Sequence, residues 1–311
     1  MKQFFTLLFA VAFCLQVSAD EKYPRKIVME EGTGTWCGWC VRGIETIKRM
    51  SEKYPDNFIG IGLHYGDEMD YIDNYSPILD MIGGFPGCFI NRRSSDYESV
   101  SLEGAEEAVK ALKDKAIAKI EASASFTDAT KKQILVSTKT TFGFDKSSAK
   151  YKIAYVVVED NVGPYKQGNY YSGMDLSKSD YMYDWTTKAS VVSIKFNDVA
   201  RGIYPSATGK DGSVPTTVKK NEANSYDYTV TLPKTVANAD NVSIVTLLID
   251  SSTGEIVNAD KVAMSGSTTS IQTMESVREN EPDVWYNLNG QRVEKPAKGL
   301  YIKNGKKVLV K

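Results

Sequence analysis

Between Lys22 and Ile120, short apolar runs alternate with segments whose apolar residues recur at helical spacing. Three of the runs, each bounded by turn residues, are predicted strands: 26–31, 57–65 and 85–93. Three further segments are predicted helices: about 37–54, 71–83 and 102–120. The resulting order β-α-β-α-β-α predicts an α/β layered fold for this part of the chain.

From about residue 121 the helical spacing disappears, and short alternating runs are separated by Gly, Asp, Asn and Ser turns. Seven of these runs are predicted strands: 122–126, 132–142, 151–159, 190–196, 226–232, 242–250 and 255–264. This pattern is typical of an all-β, immunoglobulin-like sandwich. The Tyr-rich segment 165–185 is predicted to plug the end of that sandwich, with a partner-binding surface as the alternative.

The two ends of the chain have patterns of their own. Lys2, an apolar run and a small-residue site ending at Ala19 predict a secretory signal peptide over residues 1–19. The polar stretch 265–283 is a predicted linker, and 284–311 is a predicted β-hairpin module, similar to C-terminal sorting or attachment modules. The predicted domains between these ends are an α/β domain at 20–120 and a β-sandwich at 121–264.

Composition and charge restrict the function classes. The 311 residues carry 38 Lys and Arg against 39 Asp and Glu, a net charge of -1 that offers no basic surface to nucleic acid. Only one histidine, His64, is present, which argues against a zinc site and against most histidine-dependent hydrolases. We therefore predict no metal, no cofactor and no nucleic-acid partner.

Removal of the signal peptide leaves three of the four cysteines: Cys37, Cys40 and Cys88. The spacing of the first two fits a redox pair, half of a metal site or a small structural disulfide. Cys37 lies at the N-terminus of the predicted helix, where unpaired N–H groups and the macrodipole favour a thiolate. Cys40 lies one turn later on the apolar face, and Cys88 is predicted to be a small buried residue, with a third redox thiol as the alternative.

Residues 22–120 resemble the thioredoxin superfamily. The motif WCGWC lies at a strand-to-helix turn, Glu31 precedes Cys37 by six residues, and Pro86 in GGFPG follows Cys40 by 46 residues. The resemblance implies that Cys37 is a nucleophile and that Cys40 resolves its mixed disulfide with a substrate. It also implies a cis peptide bond before Pro86, which would lie against the disulfide and keep the two thiols from binding a metal.

Further roles follow from the same resemblance. Glu31 is expected to be buried beneath Cys40 and to move its proton, with a strand-end glutamate in solvent as the alternative. Because side chains alternate along a strand, one of the two neighbouring glutamates is expected to be exposed, and the prediction assigns this to Glu30. Phe85 would present its backbone to an extended substrate. Substrate contacts are assigned to the residues around the motif and the proline: Trp36, Gly38, Trp39 and Phe85. Trp39 either contacts unfolded substrates or covers the rim of the site.

The chain has a narrower resemblance as a whole. EEGTGTWCGWC in the first part and VSIVTLLIDSSTGEIVNADKV in the β-rich part are similar to the secreted 28-kDa outer-membrane-protein family of Bacteroidetes, over residues 22–265. That resemblance implies a thioredoxin-like domain with a β-sandwich attached. It also implies a periplasmic, outer-membrane-associated or secreted location.

These inferences predict a secreted thiol–disulfide oxidoreductase, a reductase or isomerase that acts on protein disulfides through Cys37 and Cys40. Its predicted partners are cysteine-containing proteins and a separate redox protein. The alternative is a non-catalytic binding or adhesion protein of the cell envelope that uses the thioredoxin fold as a scaffold. The intact CGWC motif with Glu31 favours the enzyme, and the large β part with its tail favours the binding protein.

Overall fold

The computed structural model describes residues 22–70, 75–93 and 100–264, and four short strands between 285 and 310. The predicted signal peptide, residues 1–19, and the predicted linker, 265–283, lie outside the described residues. The described residues up to 264 belong to one compact unit, and the strands after 284 belong to a second.

The first part of the chain forms the predicted order of strands and helices. Its elements are β1 (Ile27–Thr33), α1 (Val41–Lys53), β2 (Phe58–His64), α2 (Ser76–Leu79), β3 (Gly87–Ile90) and α3 (Leu102–Leu112). Two helices are shorter than predicted. α1 begins at Val41, directly after Cys40, so Cys37 lies in a turn before the helix. α3 ends at Leu112, because from Ala118 buried and exposed positions alternate with the period of a strand.

The second part is built from strands, as predicted, with one short helix. Its elements are β4 (Ala118–Phe126), β5 (Gln133–Phe142), β6 (Tyr151–Glu159), β7 (Val162–Gly168), α4 (Tyr183–Thr186), β8 (Val191–Phe196), β9 (Val199–Tyr204), β10 (Ala223–Thr231), β11 (Val242–Asp250) and β12 (Ile256–Ala263). The sequence predicts seven of these strands and misses β7 and β9. The unit is mostly β, with few helices among its described residues.

A seven-stranded mixed sheet has the order β12-β11-β6-β9-β2-β1-β3. β1 and β2 are parallel, and β2 meets β9 in parallel where Gly62 pairs with Val199. The sheet therefore contains strands from both sides of the predicted boundary at 120/121. An α/β domain followed by a separate immunoglobulin-like sandwich is not confirmed, because β9 pairs with β2 on one side and β6 on the other. The domain limits themselves stay a prediction.

A second, three-stranded sheet with the order β10-β5-β4 packs against β6 and β11 of the large sheet. Buried side chains from both sheets form their shared core, among them Ile134, Val230, Tyr155 and Ile244. β7 and β8 form a separate two-stranded ribbon. The ribbon and the loop that joins its two strands matter most for the candidate site.

Strand β1 is covered on both faces, and this determines the environment of its two glutamates. Val28 packs into one core, while Ile27 packs into another with side chains of α1 and α3. Glu30 and Glu31 are both buried, so the prediction that Glu30 is exposed is wrong. The reason is Arg92, whose Nε and Nη2 donate to the two carboxylate oxygens of Glu30 at 2.7 and 2.6 Å. Such a bidentate pair compensates a carboxylate for the loss of water.

The second unit, where the sequence predicts a β-hairpin module, contains four described strands. Its strands are β13 (Trp285–Tyr286), β14 (Arg292–Val293), β15 (Gly299–Lys303) and β16 (Lys306–Val310). They form an antiparallel sheet with the order β14-β13-β15-β16. In neither unit does a described helix have the length and apolar character needed to cross a membrane.

Candidate functional site

Cys37 and Cys40 form a disulfide in the turn between β1 and α1. Their Cα atoms are 5.3 Å apart, and the Cys40 N–H donates to the Cys37 carbonyl at 3.1 Å. We call residues 34–40 the CxxC loop. Cys40 is fully buried and Cys37 is 6% exposed. The disulfide is therefore shown, and both of its cysteines are almost inaccessible in this state.

Glu31 is buried under the first turn of α1. A Cβ added to Gly43 would lie 1.8 Å from Glu31 Oε1, so the carboxyl group fills the space that the missing side chain leaves. Gly43 in turn donates its N–H to the carbonyl of Cys40. Burial raises the pKa of Glu31 to about 8, although the Thr33 side chain and the charge of Arg42 oppose the shift. The carboxyl group thus exchanges its proton close to neutral pH. Its role toward Cys40 stays a prediction.

Residues 83–87 form the proline loop, which lies at the end of β1 next to the CxxC loop. The Phe85–Pro86 peptide bond is cis, as the resemblance implies. β3 begins at Gly87, which pairs with Gly32 of β1, and a Cβ on Gly32 would lie 3.2 Å from the Phe85 ring. Contact between Pro86 and the disulfide stays a prediction.

Exposed aromatic side chains lie in and around the CxxC loop. Trp36 and Tyr65 pack against the Phe85 ring, at centroid distances of 5.6 and 5.9 Å. Trp39 makes an edge contact with Tyr170 at 5.5 Å. Trp36, Trp39, Tyr65 and Tyr170 are each between 45 and 60% exposed. We call these rings the aromatic surface: Trp36, Trp39, Tyr65, Phe85 and Tyr170.

Residues 167–170 cross the CxxC loop, and we call them the strap. Gln167 Nε2 donates to the carbonyl of Cys37 at 2.9 Å. The N–H of Gly168 donates to the carbonyl of Thr35 at 2.8 Å, and that of Tyr170 to the carbonyl of Gly38 at 3.0 Å. The Tyr170 ring lies on Gly38, because a Cβ at Gly38 would be 2.3 Å from it.

The Tyr-rich segment is held on α1, so the prediction that it plugs the end of a sandwich is wrong. Trp185 Nε1 donates to Glu45 Oε2 at 3.1 Å, and the Trp185 ring packs with Val41 and Met182. Asn169 Nδ2 donates to the carbonyl of Trp185 at 2.8 Å. The density of aromatic residues indicated a packed loop, but nothing local in the sequence indicated which element it packs against.

His64 and Cys88 have structural surroundings. His64 is buried, with Nδ1 2.7 Å from Asp67 Oδ2, and the same oxygen accepts the N–H of Thr35 at 2.9 Å. Cys88 is buried beside Glu31 in the sheet register. Across the described ranges, no group of three or more His, Cys, Asp or Glu residues is arranged to hold a metal ion. His64 thus helps to fix the start of the CxxC loop.

Solved structures that match this chain include proteins of two bacteria. HBP35 of Porphyromonas gingivalis has a TM-score of 0.56 and 14% identity, and the match covers 94% of this chain and all of that one. A protein of Agrobacterium tumefaciens has a TM-score of 0.43 and 15% identity, covering 77% of this chain and 95% of that one. A domain of the outer membrane lipoprotein Omp28 from Porphyromonas gingivalis has a TM-score of 0.26 and 18% identity, and the match covers 48% of this chain and 88% of that one. Only the first score supports a shared fold.

No curated protein matches the chain. A family model described as outer membrane protein Omp28 matches residues 72–268, more than half of the chain. The predicted location in the cell envelope is thereby confirmed at the level of the family. The match ends close to the boundary between the two compact units. The chain belongs to the Omp28 family of outer-membrane proteins.

Proposed function

We propose that Cys37 and Cys40 exchange disulfides with cysteine-containing proteins of the cell envelope. One observation carries this proposal: the pair forms a disulfide directly before α1, and Glu31, whose pKa is raised to about 8, lies against Gly43 in the first turn of that helix. A merely structural disulfide needs no titratable carboxyl group beside it. A buried acid whose pKa lies near the working pH is suited to proton transfer.

The exchange would proceed in two steps. The Cys37 thiolate attacks one sulfur of a protein disulfide, which forms a mixed disulfide and releases the other sulfur as a thiolate. The Cys40 thiolate then attacks Cys37 Sγ, which closes the Cys37–Cys40 disulfide and releases the second substrate sulfur. Two electrons pass from the dithiol to the substrate. The same steps in reverse oxidise a substrate dithiol.

Glu31 would act on the second step. Cys40 is fully buried, so its thiol needs a nearby base in order to become a nucleophile. The ionised carboxyl group of Glu31 accepts that proton and returns it when the dithiol forms again. Glu31 is thus assigned to proton transfer.

The aromatic surface would bind the substrate. Trp36, Trp39 and Phe85 offer rings beside the disulfide, and such side chains bind unfolded segments with little loss of side-chain entropy. The backbone of Phe85 is assigned to pairing with an extended segment that carries the substrate cysteine.

A second candidate function is a non-catalytic binding protein of the cell envelope. The comparisons favour it, since the matching family is described as an outer-membrane protein and not as an enzyme. The near-complete burial of Cys37 favours it as well. In that case the disulfide stabilises the CxxC loop, and the aromatic surface alone contacts the partner.

Reduction of insulin by dithiothreitol separates the two candidates. The mature wild type should accelerate insulin precipitation, and Cys37→Ser should reduce the rate to that without protein. Cys88→Ser is the matched control, because Cys88 lies outside the disulfide, and its activity should equal that of the wild type. Equal activity of wild type and Cys37→Ser would reject the enzyme and leave the binding protein.

The redox equilibrium of the pair with glutathione gives the direction of transfer. A difference of about 30 mV in potential corresponds to about 1.4 kcal/mol for a two-electron couple. A potential below that of glutathione would assign substrate reduction, and a potential above that of glutathione would assign oxidation or isomerisation.

A further inference from the structure

The CxxC loop is covered by a distant segment of its own chain. Three carbonyl groups of the CxxC loop, those of Thr35, Cys37 and Gly38, accept hydrogen bonds from the strap. The Tyr170 ring lies on Gly38 between them. The strap therefore holds the backbone on both sides of Cys37, whose side chain is almost inaccessible.

The strap contacts are of the kind that a polypeptide partner makes. Gly168 and Tyr170 are two residues apart, and both donate a backbone N–H to the loop. Alternate N–H groups of an extended segment point in the same direction, as they do when a peptide is added to a protein as a strand. A segment of another chain offers the same groups at the same spacing. Strap and partner therefore compete for the carbonyl groups of Thr35 and Gly38.

We propose that the strap is an autoinhibitory cover, and that an extended polypeptide segment with an aromatic side chain replaces it on the CxxC loop. The carbonyl groups of Thr35 and Gly38 bind the backbone of that segment, and the aromatic side chain takes the place of the Tyr170 ring. The consequence for exchange rests on the proposed function: Cys37 reacts only after the strap has left the loop.

The packing of the strap is suited to local opening. Tyr170 is 60% exposed, so movement of its ring uncovers little apolar surface. Gln167 is fully buried, yet its Oε1 accepts no hydrogen bond from the described residues, which weakens the closed arrangement. Asn169, within the strap, donates to the carbonyl of Trp185, and Trp185 donates to Glu45 of α1, so these two bonds return the strap to the loop. Opening of this kind does not require the unit to unfold.

The rate at which dithiothreitol reduces the Cys37–Cys40 disulfide under native conditions tests the cover. Samples of the oxidised mature chain are quenched and alkylated, and the peptide that contains both cysteines is measured by mass spectrometry. Tyr170→Ala should raise the rate by roughly fivefold, the value expected for a lost contact of about 1 kcal/mol. Tyr170→Ala combined with Gln167→Ala should raise it further.

Two controls separate local opening from general loss of stability. Met174→Ala changes another exposed side chain of the same segment, and its rate should stay within twofold of the wild type. Val230→Ala weakens the distant core between the two sheets, and it too should leave the rate unchanged. Equal rates in the wild type and both strap variants would overturn the proposal, and so would an equal rise in Val230→Ala.

The shared volume of Gly38 and Tyr170 gives a second, independent readout. Gly38→Ala should push the ring off the loop and raise the reduction rate, because its Cβ would overlap the ring. In a Tyr170→Ala background the same change should have little further effect, since the overlap is gone. Additive effects would contradict the cover.

The proposed function can fail without affecting this result, because dithiothreitol needs no protein substrate. If Cys37→Ser keeps the insulin activity while Tyr170→Ala raises the reduction rate, the strap covers a structural disulfide. If Cys37→Ser loses the insulin activity while Tyr170→Ala leaves the reduction rate unchanged, the site exchanges disulfides without a cover.

Discussion

Glu31 ties the stability of the first unit to pH. Its pKa is about 8 in the folded chain against an ordinary value of 4.5, so between these pH values the folded state binds more protons than the unfolded state. The free energy of unfolding contributed by Glu31 therefore falls as pH rises from 4.5 to 8, and it changes little outside that window. A buried neutral carboxyl group is tolerated, and a buried charge is not.

We predict that Glu31→Gln is more stable than the wild type at pH 8, and that this advantage shrinks toward pH 4.5. One pKa unit corresponds to about 1.4 kcal/mol, so a change of a few kcal/mol is expected across the window. Urea unfolding of the oxidised proteins at several pH values measures it. Glu222→Gln, at an exposed position, should give a curve parallel to that of the wild type. Parallel curves for Glu31→Gln as well would contradict the raised pKa.

For single residues, the sequence predicts those features that depend on the spacing between residues along the chain. The distance between the two cysteines and the position of Glu31 before them indicate a disulfide beside an acid, and the structure has both a disulfide and a buried Glu31. Alternation along a strand predicts that Glu30 faces water, but this holds only for a strand with one open face. Its partner Arg92 lies 62 residues away, and nothing local pairs the two.

The contact between α1 and β1 depends on a glycine in a helix. Alanine normally stabilises a helix by about 1 kcal/mol relative to glycine. We predict that Gly43→Ala instead destabilises the chain by about 1–3 kcal/mol, because its Cβ would overlap the Glu31 carboxyl group. Thermal and urea unfolding measure the difference.

A double mutant tests the origin of that loss. Glu31→Ala removes the carboxyl group, so Gly43→Ala should cost much less in that background. Gly104→Ala in α3 is a further control, since its Cβ would meet only the hydroxyl of Ser101, at 3.1 Å. A Gly43→Ala variant as stable as the wild type would place the carboxyl group elsewhere.

The elements that the sequence misses are those with weak local signals. β9 contains Arg201 and Gly202 in six residues, and β7 contains Gly163 and Pro164, so both are typical of turns. Long-range contacts stabilise β9 as a strand although its composition does not favour one. β9 pairs with β6 along its length, and Arg201 donates to buried Glu159 at 2.8 Å. The strap begins in the last two residues of β7, so the weak local signal of that strand also hides the strap from sequence-based prediction.

In the whole molecule, hydrogen bonds join the first strands to the last strand of the large sheet. Asn258 in β12 accepts the N–H of Lys26 and donates to the carbonyl groups of Pro24 and Ala118. The N–H of Ile256 donates to the carbonyl of Asn91 at 2.9 Å. These contacts link parts of the chain that the sequence assigns to different domains, and such long-range pairing leaves no trace in local pattern.

We predict that residues 20–120 alone do not form a stable domain, whereas 20–267 unfold in one cooperative transition. The shorter fragment exposes the edge of β2 and loses the contacts of β12. Circular dichroism and hydrogen exchange on both fragments measure the outcome. A fragment 20–120 with a cooperative transition near that of 20–267 would support the predicted domain limits.

Gly38 and Tyr170 also constrain how related sequences can diverge. The two residues are far apart in the chain, yet they share one volume, so a larger residue at one position demands a smaller one at the other. Members of the family should therefore vary at these two positions together, with glycine retained wherever the aromatic ring is retained. The pair would then serve as a sequence signature that separates relatives with a covered disulfide from those with an open one.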